Sequence, residues 1–223
     1  MGGKIEAYFD CPSPYSYLAF LHLRRNRERL ASHGVEVEVH PVFLGGINAG
    51  SGNKPPWTLP AKAAYGAFDR KRAVKYFGVK DFEVPSFFPP LSLLPQRAIT
   101  YVKLNYPRER YEQTFLLYWD YLFYRHIDIS KPENLATLFS DAGYSKEEVE
   151  RILAAAQSPE IKKALTDRTK EALDRGAFGA PWFWVKNSKG EEEPFFGSDR
   201  FHFMWQYLDV PFRDIQIIEG AKL

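Results

Sequence analysis

The chain has 223 residues, 45% of them hydrophobic and 16% aromatic, enough for a sizeable core and far from the composition of a disordered chain. Its 30 basic and 28 acidic side chains leave a formal charge of +2, and no basic stripe interleaved with aromatics appears, so nothing points to nucleic acid. Cys11 is the single cysteine, which excludes an intrachain disulfide and fits a reducing compartment; with only five scattered histidines, no metal site is expected, and no apolar run approaches the length of a membrane span.

In chain order, Ile5, Ala7 and Phe9 alternate with Glu6, Tyr8 and Asp10, the period of a half-buried strand. Asp10-Cys11-Pro12-Ser13-Pro14 ends it. Beyond this break Tyr17, Leu18, Phe20, Leu21 and Leu23 recur at helical spacing, and Arg24, Arg25 and Arg27 follow with positive charge. Ser13 stands at the N-cap position and Pro14 at the first helical position, which needs no N–H. A helix start carries spare amide donors and partial positive charge, so the junction sets a hydroxyl beside an end that attracts anions. It suits a thiolate or a carboxylate. His33-Gly34 turns into a second strand, Val35, Val37 and Val39 against Glu36, Glu38 and His40, and strand–helix–strand in so few residues predicts a crossover between parallel strands. Gly45-Gly46 and Ser51-Gly52-Asn53 predict a loop, stiffened by Pro55-Pro56.

From about Leu59 to Arg175 the pattern is helical. Ala61, Ala64, Tyr65 and Phe68 begin one segment, and Ala98, Ile99, Val102 and Leu104 mark another. The aromatic run from Phe115 to Tyr124 reads as core or interface packing, and Arg108, Glu109, Arg110 and Glu112 as a solvated face. Ser145-Lys146-Glu147-Glu148 is a capping box, and Ser158-Pro159 opens a further helix. After Gly176, Trp182 to Val185 predicts a buried strand, Asn187 to Gly190 a hairpin turn and Pro194-Phe195-Phe196 the returning strand. A last helix runs through Phe203, Met204, Tyr207 and Leu208, with Asp199 at its start as a candidate N-cap. The fold class is therefore α/β: thioredoxin-like β-α-β and β-β-α halves, residues 1–58 and 176–223, with an all-helical domain, residues 59–175, inserted between them.

Four blocks carry a resemblance: Tyr8-Phe9-Asp10 leading into Ser13-Pro14-Tyr15-Ser16-Tyr17, then Ser51-Gly52-Asn53-Lys54-Pro55-Pro56, Gly176 to Pro181, and Phe196-Gly197-Ser198-Asp199-Arg200. In this order they resemble the kappa class of glutathione transferases over essentially the whole chain. That class is similar to bacterial disulfide oxidoreductases of the DsbA kind, in which Ser13 and Ser16 would be the two cysteines of a Cys-x-x-Cys. With serines there, disulfide exchange is excluded. The resemblance implies glutathione as substrate, with Ser13 hydrogen-bonding its sulfur and Pro14 and Tyr15 bordering the pocket. It further implies that Asn53 and Lys62 bind from the loop and the first inserted helix. Ala180, before a cis Pro181, would offer outward backbone groups to the cysteinyl part. Ser198 and Asp199 would hold the γ-glutamyl end, and the protein would act as a homodimer.

A free thiol with a pKa near 8.5 is only a few per cent ionised at pH 7. Lowering it by two units takes about 2.7 kcal/mol, within reach of one charge-assisted hydrogen bond and a helix terminus together. Conjugation to small apolar electrophiles is then the expected activity, with peroxide reduction as an accessory one. Two alternatives stand beside it: a glutathione-dependent isomerase of 2-hydroxychromene-2-carboxylate, and a non-enzymatic module that binds extended peptides. Read without the resemblance, Ser13 is a helix cap, Ser16 satisfies a first-turn backbone group, Cys11 is a small buried hydrophobe, and Lys54 and Lys62 are solvated. Arg200 has two readings, pairing with an acidic neighbour or reaching the ligand of a second subunit. The last residues, Ala221-Lys222-Leu223, have the small–basic–leucine form of a peroxisomal address, the alternatives being mitochondrion and cytosol.

Overall fold

β1 (Gly3–Phe9) occupies an inner position in a four-stranded sheet of order β2-β1-β3-β4. This is the arrangement in the computed structural model of the chain, which describes residues 2–213. Ala221-Lys222-Leu223 lies outside the described residues. β2 (Val35–Pro41) runs parallel to β1, with Ile5 opposite Val37, and the two are joined by α1 (Pro14–Ser32). β3 (Trp182–Lys186) pairs with β1 antiparallel, Ala7 opposite Phe183, and returns through a hairpin to β4 (Glu192–Phe196).

Strands flank both edges of β1, and packed side chains cover both of its faces. Ile5, Ala7 and Phe9 join the large core, whereas Tyr8 packs on the opposite face with Val42, Ile47, Ala172 and Trp182. Tyr8 and Asp10, expected on a solvated face, are in fact fully buried. Alternation marks two faces; it does not say that one of them is wet.

α2 (Leu44–Ser51) corrects the loop expected at Gly45-Gly46, and the turn begins only at Gly52, whose φ of 73° is left-handed. The glycines there serve close approach. A Cβ on Gly45 would lie 2.6 Å from the Phe43 ring, and one on Gly50 would lie 2.6 Å from Leu173 of α8 (Pro159–Asp174).

The helices between the two halves include α3 (Pro60–Tyr76), α4 (Leu93–Asn105), α5 (Arg108–Phe123), α6 (Pro132–Asp141) and α7 (Lys146–Ala155). α4 to α7 share the core of the sheet: Trp119 of α5 packs at 5.0 Å from Phe20 of α1 and stacks at 4.6 Å on Phe115. The Ser145 capping box forms as expected, and Ser158 caps α8. The charged start of α5 is less solvated than its composition suggests. Glu112 is buried and accepts from Arg27 at 2.6 Å, and the Arg110 guanidinium lies 3.9 Å from the centre of the Tyr144 ring. α9 (Phe201–Tyr207) closes the described chain.

Candidate active site

At the end of β1 the chain makes a tight turn in which the Ser13 N–H donates to the Asp10 carbonyl at 3.2 Å. Proline at position 14 then starts α1 immediately, so Ser13 becomes the N-cap and its Oγ accepts the Ser16 N–H at 3.1 Å. A hydroxyl has one proton to give. Here it goes to the Ala180 carbonyl at 3.0 Å, across a separation of 167 residues. The Ala180–Pro181 peptide is cis, as the resemblance implies. The Ala180 carbonyl accepts from Ser13, and both residues line the same cleft. Ser13 therefore bridges the start of α1 and the loop before β3.

Ser16 does not use its side chain as expected: its Oγ is buried without a partner, and its N–H donates to Ser13. Cys11 is buried, and its thiol is pushed well above the ordinary range, first by burial and then by the Asp10 carboxyl. It is an inert neighbour of the site rather than a nucleophile.

A cleft of about 1340 Å³ opens beside Ser13, and Pro14, Tyr15, Asn53, Lys62, Ala180, Pro181, Ser198 and Asp199 all line it with Ser13. Several are tied to each other in ways that pattern alone does not reveal. Tyr15 donates to Asp69 of α3 at 2.6 Å, and burial followed by that hydrogen bond raises its hydroxyl above the ordinary tyrosine value. Asn53 donates to the Phe178 carbonyl at 2.6 Å while its Oδ1 accepts the Lys54 N–H at 2.9 Å, so it braces the loop leading to Ala180. Lys62 stands exposed on α3.

Ser198 is buried, whereas Asp199 is exposed and paired with Arg200. Asp199 is not the cap of the last helix. α9 begins at Phe201 with Arg200 in the cap position and no side-chain bond.

The sequence reading missed the apolar wall. Trp57 meets Phe88 edge-on at 5.4 Å and Phe178 meets Phe196 at 4.5 Å, and all four line the cleft. Pro55-Pro56 before Trp57 and the proline after Phe88 were the available signals, since stiff segments hold exposed aromatics in place. Away from the cleft, Glu6, Glu38 and His40 converge within 4.8 Å of one another. Lys4 sits 2.8 Å and Lys103 3.0 Å from Glu38, and Arg175 sits 2.9 Å from Glu6, so cations of the chain already answer that charge. The cluster is an ion-pair network joining β1, β2, α4 and α8.

Residues 4–209 match the family model of the DSBA-like thioredoxin domain. The chain is 32% identical to human glutathione S-transferase kappa 1 over 209 residues, 92% of this chain and 90% of that one. It is 27% identical to the 2-hydroxychromene-2-carboxylate isomerase of Sphingobium xenophagum, over 93% of this chain and 99% of the other. A solved structure of such an isomerase superposes with a TM-score of 0.75 at 19% identity, covering 92% of this chain and 94% of that one, a likeness of fold. The chain thus belongs to the DSBA-like thioredoxin family and, within it, to the kappa-class glutathione S-transferases.

Proposed function

We propose that the protein joins the sulfur of glutathione to small apolar electrophiles, with the Ser13 hydroxyl stabilising the thiolate. The observation that carries this reading is the position of that hydroxyl, at the N-terminus of a 19-residue helix and on the wall of the cleft. On binding, the proton that Ser13 gives to the Ala180 carbonyl turns to the sulfur, and the freed carbonyl accepts a backbone N–H of the tripeptide. The thiol proton leaves to solvent. The thiolate then forms a carbon–sulfur bond, and the leaving group departs with its electron pair. Trp57, Phe88, Phe178 and Phe196 supply the apolar wall against which the electrophile rests.

Peroxide reduction belongs to the same reading: two glutathione molecules and one hydroperoxide yield glutathione disulfide, an alcohol and water. Homodimerisation belongs to it as well. None of the 17 residues of α3 is buried, and Tyr65, Phe68 and Tyr76 stand exposed on it.

Calorimetric titration with glutathione, followed by conjugation assays with a chloronitroaromatic, tests the proposal. Absence of binding at millimolar glutathione overturns it. The isomerase relative motivates a second reading, in which glutathione is returned unchanged. Chromene isomerisation without net consumption of glutathione, and without conjugation, would establish that reading instead.

A further inference from the structure

One ionisable group beside the sulfur site has no part in the chemistry above. Asp10 is wholly buried at the end of β1. Its Oδ2 accepts the N–H of Leu44, the first residue of α2, at 2.7 Å, and the hydroxyl of Ser92 at 2.8 Å. Its Oδ1 is buried as well. Its own carbonyl closes the turn to Ser13, which keeps the two Cα atoms within about 7 Å of each other. No side chain caps α2 from its own N-cap residue, Phe43, so the carboxyl of Asp10 is the anion at that helix start. α2 in turn leads into Asn53, which braces Phe178 and the loop to Ala180.

We propose that Asp10 is a positioning residue of the sulfur site: its carboxyl ties the Ser13 turn to α2 and Ser92, and its charge opposes that of a thiolate held at Ser13. This rests on the glutathione reading above. The groups that face the carboxyl are the Leu44 amide from α2, the Ser92 hydroxyl from the start of α4, and the backbone and thiol of Cys11 from its own turn; none is a cation. Gln96 of α4, nearby in sequence to Ser92, spends its amide on the carbonyls of Phe9 and Val42. Burial, only partly offset by these donors, pushes Asp10 up to about 7. Ionisation of Asp10 and of the bound thiol therefore falls in one pH range, across a low-dielectric interior. Each charge disfavours the other, and the coupling is reciprocal.

The test is a pH titration of the thiolate's ultraviolet absorbance with glutathione bound to the full chain, in wild type, Asp10→Asn and Ser92→Ala. The carboxamide oxygen of asparagine still accepts from Leu44 and Ser92, so the turn keeps its ties while the charge is lost. We expect the thiol midpoint to fall in Asp10→Asn, giving about three- to tenfold more thiolate at a fixed pH below it. Ser92→Ala withdraws a donor from the carboxylate, keeps Asp10 protonated to higher pH and moves the midpoint in the same direction by less. It carries the test if the asparagine variant fails to fold. Melting temperatures that change while both midpoints stay at the wild-type value overturn the proposal and leave Asp10 with a structural role alone. If calorimetry finds no glutathione binding in wild type, the transferase reading falls and this inference falls with it.

Discussion

Ser13 does three things at once: it caps α1, holds the Ala180 loop and presents a hydroxyl to the cleft. Replacing it separates these roles. Ser13→Ala leaves the Ser16 N–H and the Ala180 carbonyl without their partner and costs about 1 kcal/mol of stability, the usual loss for an N-cap. Turnover is expected to fall about 100-fold, as when one donor to a developing anion is removed, while glutathione affinity stays within a few-fold because most of the cleft is untouched. Steady-state conjugation kinetics beside calorimetry check this, and full turnover in the variant would reduce Ser13 to a cap. The cap was legible in Ser13-Pro14 because capping is decided by neighbours in the chain. The bond to Ala180 was not, since it joins positions 167 residues apart.

Among the elements, glycine shows how the same residue type can mean opposite things. Gly45 and Gly46 predict a loop by composition, yet they lie in α2, where they let Phe43 and Thr169 come close. Two substitutions distinguish space from conformation. A Cβ on Gly3 of β1 would lie 2.7 Å from the backbone carbonyl of Lys186, which cannot move without disturbing β3. Gly3→Ala should therefore destabilise by about 1–3 kcal/mol. Gly66, inside α3, has nothing within 4 Å of the added carbon, so Gly66→Ala should stabilise by about 0.5–1 kcal/mol through helix propensity. Urea midpoints decide both, and a stabilised Gly3→Ala would show that the strand pairing can shift.

For the whole molecule, an ion-pair network ties sheet to helices. Glu6 is lowered to about 2, first by its contact with His40 and, against burial, by Arg175 and Lys4. A carboxylate lowered on folding adds stability above its unfolded value of 4.5 and loses it as pH falls toward about 2. Melting temperature should drop across that interval, and Glu6→Gln should flatten the drop. Asp10 has the opposite sign. Its folded form keeps a proton that the unfolded chain has lost, so its contribution declines as pH rises from 3.8 to about 7. Sedimentation equilibrium should give twice the 25.8 kDa chain mass, and a monomer at micromolar concentration would remove the dimer from the proposed function.

Order and type of nearly every element could be read in advance, because periodicity, caps and breakers act over a few residues: Ser145 and Ser158 start their helices as expected, and Val35, Val37 and Val39 form the strand they spell out. Folding alone decided which faces lost their water, making Tyr8, Asp10 and Glu112 interior despite their polarity. It also brought Trp57, Phe88, Phe178 and Phe196 to one cleft and turned the Ser13 proton toward Ala180. Those outcomes depend on contacts between segments far apart in the chain, and such contacts exist only once the helices have packed on the sheet.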